Sequence, residues 1–375
     1  MNKLLKVALV HDYLVSFGGA ERVLIALHEI WPEAPVFVSI ADCKKMGSFW
    51  SFFKDWQIKT SWFQHLPGAS KLISPLRFLL PLIWESFDFS GFDLVISSSS
   101  WAISKAVLTK PGTIHFCYCH TPPRFLYFYP QAQKWLKYWP VKIYSALVNH
   151  KLRIYDYLTS QRIDYFIANS REVSRRIKKF YRRKSTVIQP PIVDLKPSSK
   201  KVKRKDFYFY ASRLYSYKHP EMAIEACVKM GRKLVIAGDG ALRPEVEKAA
   251  RENNNISYLG RVPDRKLWRL YRQCRAFLYP VESEDFGMMP LEAAHFGTPT
   301  IAYCSAGTKE TVLAGKTGLF FKEPTADSLA EAMEKFEQLK FSAAECRNWA
   351  ANFSKENFKK RIKQFVASKL NELKN

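Results

Sequence analysis

Residues 276–303 read AFLYPVESEDFGMMPLEAAHFGTPTIAY, and this stretch decides the fold class. The apolar runs Ala276–Tyr279 and Thr300–Tyr303 have the length and composition of buried strands. Between them Pro290 suits the first turn of a helix. A strand, a helix and a second strand in succession indicate a parallel sheet with helices on both faces.

The same alternation runs through the rest of the chain. At 375 residues the chain is too long for one ordinary domain. A polar, charged stretch at 197–205 interrupts the alternation and has the composition of a linker. Further strands are predicted at Lys6–Val10, Phe92–Ser97, Ile114–Cys119, Tyr165–Ala168, Phe207–Ala211, Leu234–Ala237 and Ile256–Leu259.

These features predict an α/β protein of two Rossmann-like domains whose parallel sheets face each other across a central cleft. The expected divisions are an N-terminal domain at 1–195, a linker at 196–206 and a second domain at 207–355. A C-terminal helix at 356–375 is expected to pack back on the N-terminal domain.

Charge points to an anionic partner. Lys and Arg number 59 against 34 acidic residues, a net charge of +25. Residues 134–184 alone hold 14 basic and three acidic residues, a net +11. Nucleic acid, an anionic membrane face and phosphorylated small molecules all fit such an excess, and so does a basic surface that only aids solubility.

Cysteine usage and hydropathy indicate a cytoplasmic protein. Seven cysteines without framework spacing suggest a reducing compartment, and we find no apolar run long enough to span a membrane. His115, Cys117, Cys119 and His120 do not follow a common zinc-ligand spacing. We therefore expect a buried strand there and no metal site.

The loop and helix that follow Tyr279 carry the most informative polar groups. Glu284 is expected in the strand–helix loop and Glu292 on the first turns of the helix. Between them Gly287, Met288 and Met289 present backbone amides where the helix dipole favours a phosphate. A carboxylate beside a phosphate is electrostatically unfavourable, so Glu284 is expected to bind hydroxyl groups instead.

Two cations follow an earlier strand of the same half. Arg213 and Lys218 are placed to clamp a diphosphate, although either alone would pass for a surface cation. In the first half, Gly18 and Gly19 open a helix and offer amides to an anion, which is weak evidence alone.

In order, these motifs resemble retaining glycosyltransferase family 4 of the GT-B fold, and in particular bacterial O-antigen and capsule mannosyltransferases. The ordered set is Arg-x4-Lys, Gly-Asp-Gly, Gly-Arg-Val-Pro and Glu-x7-Glu, between Arg213 and Gly318. In the first half, Gly18-Gly19-Ala20-Glu21 and the segment 120–127, HTPPRFLY, agree with the same family.

The resemblance implies that the domain at 1–195 binds the acceptor and the domain at 207–355 binds the nucleotide sugar. It also implies roles for single residues. Arg213 and Lys218 would hold the donor diphosphate, Glu292 the ribose and Glu284 the donor sugar. The backbone near Val262 would meet the base. The remaining implied site residues are His120 near the sugar ring, Gly18 and Gly19 near the diphosphate or acceptor, and Phe286 with the 287–289 amides at the donor.

Three positions depart from the family's commonest pattern. Ser212 stands where Gly usually precedes the Arg, His219 replaces Gly after Lys218, and Asp285 replaces Gly after Glu284. These departures are expected to change the shape of the donor pocket relative to the family, and the shape of the pocket determines which sugar it accepts.

The expected chemistry needs no cofactor. The chain contains no Asp-x-Asp, the signature of metal-dependent sugar-nucleotide enzymes. Arg213 and Lys218 can stabilise the leaving diphosphate in place of a divalent ion. The resemblance implies retention of the anomeric configuration, for which a front-face route is our hypothesis.

Aromatic and basic residues mix in the first half and favour a membrane-bound acceptor. The aromatics are Trp50, Phe52, Phe53, Trp56, Trp62, Phe63 and five Tyr or Trp residues within 124–142. Such a mixture suits anionic headgroups. We therefore expect peripheral contact with the inner face of the cytoplasmic membrane and a polyprenyl-diphosphate-linked glycan acceptor. The resemblance of the segment 120–127 to bacterial mannosyltransferases implies GDP-mannose as donor. The same aromatics could instead be core or the walls of the acceptor cleft.

Two other functions remain open on the sequence alone. A non-hydrolysing sugar-nucleotide epimerase has the same two-domain fold without needing an acceptor surface. A nucleic-acid-binding protein would explain the charge but leaves the ordered Glu and Gly pattern unexplained.

Overall fold

The computed structural model describes residues 5–130, 138–192 and 203–373. The chain divides into two compact units, Met1–Pro191 with Lys355–Asn375, and Ile192–Ser354. Of the linker predicted at 196–206, residues 196–202 lie outside the described residues, and residues 203–206 lie within them. Among the latter, the backbone amide of Lys205 bonds to Gln273 of the second unit.

The first unit is built on a seven-stranded sheet in which every described strand pair is parallel. Its order is β3-β2-β1-β4-β5-β6-β7. The strands are β1 Val7–His11, β2 Val36–Val38, β3 Ile58–Thr60, β4 Leu94–Ser99, β5 Ile114–Cys119, β6 Tyr165–Ala168 and β7 Ser185–Val187.

Alternate residues of this sheet enter two different cores. Leu9 and Ile96 belong to one apolar cluster, whereas Val10 and Val95 belong to another, so helices cover both faces. The helices are α1 Gly19–His28, α2 Cys43–Met46, α3 Ala69–Leu72, α4 Leu80–Glu85, α5 Trp139–Gln161 and α6 Arg171–Tyr181.

The second unit repeats the plan with six parallel strands in the order β10-β9-β8-β11-β12-β13. The strands are β8 Tyr208–Ala211, β9 Leu234–Ala237, β10 Ile256–Tyr258, β11 Phe277–Tyr279, β12 Thr300–Tyr303 and β13 Gly318–Phe321. The helices are α7 Pro220–Lys229, α8 Arg243–Glu252, α9 Asp264–Gln273, α10 Met288–His295, α11 Ala326–Glu337 and α12 Ala343–Ala351.

The last helix, α13 Lys355–Glu372, belongs to the first unit. Its buried residues Phe358, Ile362 and Val366 lie four apart and so share one face, which enters the core around Leu9. At its start Lys355 and Lys359 pair with Glu29 at the end of α1.

The α/β class predicted from the alternation is confirmed. Four short strands, β2, β3, β7 and β13, were not predicted. Of these, β3, β7 and β13 are edge strands whose residues are partly exposed, so they lack a fully buried apolar run. Within the described ranges, none of the helices is both long and apolar enough to cross a bilayer.

Each sheet has one point at which the strand order reverses direction. It lies between β1 and β4 in the first unit and between β8 and β11 in the second. In open α/β sheets, ligands bind outside the carboxyl ends of the strands at such a point. The loops that leave these four strands are therefore where functional side chains are sought.

Candidate active site

In the second unit, the loops after β8 and β11 bring a lysine and a glutamate into contact. Lys218 ends a short 3-10 turn, and its Nζ lies 2.5 Å from Oε2 of Glu284. The two side chains are only 13% and 17% exposed. The hydroxyl of Tyr279, the last residue of β11, donates to the same carboxylate oxygen at 2.8 Å.

Tyr279 holds this carboxylate as a neutral donor. Burial, and secondarily the charge of Glu284, raises the pKa of Tyr279 well above its usual value. The backbone carbonyl of Lys218 is fixed in turn by the buried hydroxyl of Tyr210, at 2.9 Å. The pair is thus held by hydroxyl groups from two neighbouring strands, and its charges are preorganised.

Helix α10 begins at Met288, four residues after Glu284 in the sequence. Gly287 precedes it with φ 91°, and a Cβ there would approach Oγ1 of Thr311 to 3.1 Å. The first amides of a helix have no intrahelical acceptor, so those of Met288 and Met289 can meet an anion. Phe286 is only 2% exposed and packs with Phe353, so only its backbone can face a donor.

The other predicted donor residues lie on neighbouring elements. Arg213 is exposed in the loop after β8, with its guanidinium carbon 5.9 Å from the ring centroid of Tyr215. Glu292 is half-buried on α10, and Val262 is half-buried in the segment after β10. Lys218 and Glu284 thus form a partly buried ion pair. Arg213 is exposed to solvent and lies over the ring of Tyr215.

The Gly-Asp-Gly motif has a packing reason. At Gly238 a Cβ would come within 1.9 Å of the Ser212 carbonyl oxygen, and at Gly240 within 2.5 Å of the Leu214 carbonyl oxygen. Both glycines also have positive φ, 141° and 159°. They therefore let the loop after β9 lie against the loop that carries Arg213.

The structure explains one departure from the family pattern. His219 adopts φ 50° and ψ 52°, the left-handed conformation in which glycine is favoured. Its Nδ1 lies 2.8 Å from Glu221 and its Nε2 lies 3.5 Å from Glu282. The hydrogen bond to Glu221 raises the pKa of His219 above its usual value, and Glu282 adds to this.

In the first unit, a chain of polar groups crosses the point between β1 and β4. His120 Nε2 lies 2.8 Å from Oγ of Ser98, and His11 Nδ1 lies 3.0 Å from the same oxygen. His11 Nε2 is 3.5 Å from Glu21, whose other oxygen accepts from the amide of Gly18 at 2.7 Å. The predicted residues His120 and Gly18 are thereby linked through three buried side chains.

Sequence reasoning missed His11, Asp12 and Ser98. The carboxylate of buried Asp12 accepts hydrogen bonds from the amides of Ser100, Ala102 and Ser104, and so shapes the loop after β4. The available signal was the position of His11 and Asp12 at the end of the first strand.

Gly18 and Gly19 occupy the start of α1, with Gly18 at the N-cap. Gly18 has an extended backbone, φ −159° and ψ −153°, and so does not require glycine for its conformation. Its amide is already bonded to Glu21. Any anion at this helix would therefore meet the following amides rather than that of Gly18.

Three of the four residues considered as zinc ligands, His115, Cys117 and Cys119, lie on β5 in the interior of the sheet. His115 is fully buried with its Nε2 2.8 Å from Ser97 Oγ, and burial, with Lys105 nearby, lowers its pKa to about 3. Cys117 and Cys119 are buried on the same strand. Across the described residues, no group of three or more His, Cys, Asp or Glu is arranged to hold a metal ion.

Comparison with known proteins agrees with this fold. Residues 17–196 match the family model described as Glycosyltransferase Family 4, and residues 191–368 match Glycosyl transferases group 1. Two solved structures share the fold over 97% of this chain and all of theirs, with TM-scores of 0.68. They are the galactosyltransferase WaaB (16% identity) and Anabaena HepE with UDP and glucose (17% identity).

Three curated relatives are similar over stretches of different length. The Schizosaccharomyces pombe α-1,3/1,6-mannosyltransferase alg2 is 24% identical over 84% of this chain and 70% of its own length. Mouse ALG2 is 35% identical over 24% of this chain, and the Rhizobium leguminosarum core mannosyltransferase LpcC is 32% identical over 24%. The matched region spans only about a quarter of each of these two relatives, 23% and 24%.

The two family models together cover residues 17–368, and the parallel sheets, the ordered motifs and the structural neighbours agree with them. The chain belongs to glycosyltransferase family 4 and has the GT-B fold.

Proposed function

We propose that this protein is a retaining, metal-independent glycosyltransferase that transfers mannose from GDP-mannose to a lipid-linked glycan acceptor in polysaccharide or O-antigen synthesis. The observation that carries this proposal is the contact of Lys218 with Glu284 and Tyr279, at the carboxyl ends of β8 and β11 and beside the start of α10.

Departure of a nucleoside diphosphate builds negative charge on the leaving oxygen. In our proposal Lys218, Arg213 and the first amides of α10 stabilise that charge, which is usually the largest catalytic term in such sites. Glu284 binds donor-sugar hydroxyls, and Glu292 binds the ribose. No cofactor enters, because these cations supply the electrostatic role of a divalent ion.

In our proposal the anomeric configuration is retained because the acceptor attacks the sugar from the same face that the diphosphate leaves. The sugar–phosphate bond breaks, the leaving diphosphate accepts the acceptor's proton, and the acceptor oxygen attacks from the same face. Lys218 keeps the diphosphate in place while this happens. A β-linked product from the α-linked donor would overturn this part.

Mannose is favoured by the names of the relatives, since ALG2, alg2 and LpcC are all mannosyltransferases. A nucleotide diphosphate donor is favoured by HepE, which was solved with UDP and glucose. The net charge of +25 supports an anionic, diphosphate-linked acceptor at the inner face of the cytoplasmic membrane.

The test is a thermal-shift panel with GDP, UDP, ADP, GDP-mannose and UDP-glucose, each with and without EDTA. A ligand at 100 times its Kd stabilises the fold by about 2.7 kcal/mol. We expect GDP and GDP-mannose to raise Tm most, with no effect of EDTA. Stabilisation by the uridine ligands alone would refute the donor assignment, and loss of the shift in EDTA would refute metal independence.

A further inference from the structure

Helix α5 has an unusual distribution of side chains. Four of its five buried residues are polar or charged, namely Ser145, Asp156, Thr159 and Ser160. Its exposed residues include five large apolar side chains between 51% and 72% exposed, namely Trp139, Ile143, Leu147, Ile154 and Leu158. A surface helix normally places its apolar residues toward the core.

The exposed apolar residues form a stripe along one side of the helix, which exposed His150 interrupts between Leu147 and Ile154. At 3.6 residues per turn, the five apolar residues fall within an arc of about 100°, and the 23-residue helix is about 35 Å long. We call this stripe the α5 face. Single exposed apolar residues need no explanation, but several along one side of a helix mark an interaction surface.

Neighbouring segments extend the apolar surface. Phe128 is 90% exposed with the guanidinium of Arg153 over its ring at 5.3 Å, and Phe78 and Leu82 are also exposed. A recess of about 420 Å³ lies beside the helix. Its lining residues are Phe78, Pro81, Val148, Lys151, Leu152 and Tyr155.

The exposed charged side chains of α5 itself are basic. Lys142 and Lys151 are exposed on the helix. Beside the helix, Glu85 of α4 is 33% exposed, pairs with Arg162 and accepts a hydrogen bond from Tyr155. The one acidic residue of α5, Asp156, is fully buried and paired with Lys105. A basic helix with aromatic and aliphatic residues on its open side has the composition of a helix that lies in a lipid headgroup layer.

We propose that the α5 face docks the protein on an anionic lipid bilayer, with the apolar stripe among the acyl-chain ends and the lysines at the headgroups. The inference deepens the proposed function and rests on it for the lipid-linked acceptor, which the docked enzyme would meet at the membrane. Charge complementarity favours a bilayer over a second copy of this chain, since two copies would bring the same cations together.

Of the aromatic residues expected at a membrane, Trp139 lies on the α5 face, and Phe52 and Trp62 are exposed elsewhere on the first unit. Phe53 and Phe63 are completely buried, so the expectation that they contact lipid is wrong. Both pack in the cores of the first unit, because their neighbours Phe52 and Trp62 take the outward positions.

The experiment is co-sedimentation with two kinds of vesicle: phosphatidylcholine alone, which is neutral, and phosphatidylcholine with about 30 mol% phosphatidylglycerol, which is anionic. Basic segments are attracted to an anionic lipid surface and not to a neutral one. The test variant is Ile143→Glu/Leu147→Glu. The matched controls are Leu108→Glu and Leu339→Glu, which change aliphatic residues that are 45% and 50% exposed elsewhere. Light scattering reports oligomeric state, and GDP-induced stabilisation reports folding and the donor site.

We expect the wild type to bind the anionic vesicles and to bind less at high salt. The double variant should lose more than about tenfold in vesicle affinity, and the controls should bind like the wild type. Each of Lys142→Gln and Lys151→Gln should lower affinity about fivefold, and Lys248→Gln on α8 should not. All variants should retain the GDP shift.

Three results would overturn the proposal: no binding of the wild type to either vesicle, equal binding by the double variant, or a wild-type dimer that the double variant dissolves without vesicle binding. If GDP does not raise the Tm of the wild type, the proposed donor is contradicted. The vesicle-binding result can still be interpreted, because it does not depend on the donor.

Discussion

Replacement of Lys218 by alanine tests the centre of the proposed site. The change removes an ammonium group 2.5 Å from Glu284, where both side chains are more than four-fifths buried. One charged hydrogen bond is lost, which costs about 1.5–3 kcal/mol of stability. Because Tyr279 still donates to the carboxylate, Glu284 keeps a partner and the fold should persist.

The expected loss in catalysis is larger than the loss in stability. A unit charge about 4 Å away contributes about 4 kcal/mol at an effective dielectric constant of about 20. The removal of one preorganised donor from comparable sites costs about 2.7–4 kcal/mol, or 100- to 1,000-fold in kcat. We therefore expect kcat to fall by about 100- to 1,000-fold and the affinity for GDP by about tenfold or more.

The assay is transfer of radiolabelled mannose from GDP-mannose into the lipid fraction of bacterial membranes, with GDP affinity measured by calorimetry. The matched control is Lys229→Ala, which removes an exposed lysine paired with Asp327 on the same unit. The control should retain full activity, since an exposed pair contributes at most about 1 kcal/mol. A folded Lys218→Ala protein with a rate within about threefold of the wild type would refute the diphosphate role.

Three further substitutions separate the remaining assignments. Glu284→Gln should lower turnover at least about tenfold. It should leave GDP affinity equal or higher, because the substitution removes a negative charge beside Lys218. Calorimetry that shows weaker GDP binding would contradict this. His219→Gly should relieve up to about 1 kcal/mol of left-handed strain, and its Tm relative to the wild type should improve between pH 5 and pH 8. The sign follows because the raised pKa of His219 makes its ion pairs stabilising below its ordinary pKa, and this contribution disappears as the pH rises through the folded-state pKa. A Tm difference that is constant with pH would exclude those ion pairs as the cause. Ser98→Ala should lower turnover, since the hydroxyl bridges His11 and His120; turnover equal to that of the wild type would limit Ser98 to a packing role.

Local pattern was enough to predict the fold class. The alternation of apolar strands with helices has periods that do not depend on distant contacts, so β8, β9 and β12 were predicted almost to the residue. The positions of Glu284 in the loop after β11 and of Glu292 on the following helix also agree with the local pattern, and Gly287 precedes that helix with φ 91°.

Contacts between distant parts of the chain could not be predicted in this way. Lys218 and Glu284 are 66 residues apart, and only the pairing of β8 with β11 brings their loops together. The same holds for His11 and His120, which share the hydroxyl of Ser98 across three neighbouring strands.

Burial was the other property that only the tertiary structure decided. Composition alone could not tell that Phe53 and Phe63 are core residues, or that α5 turns Asp156 inward and Leu147 outward. A helical period shows which residues share a face, but the elements packed against the helix determine which face meets water. For α5 those elements cover the polar side, because Lys105 and Tyr127 pair with Asp156 there, and the apolar side is left exposed.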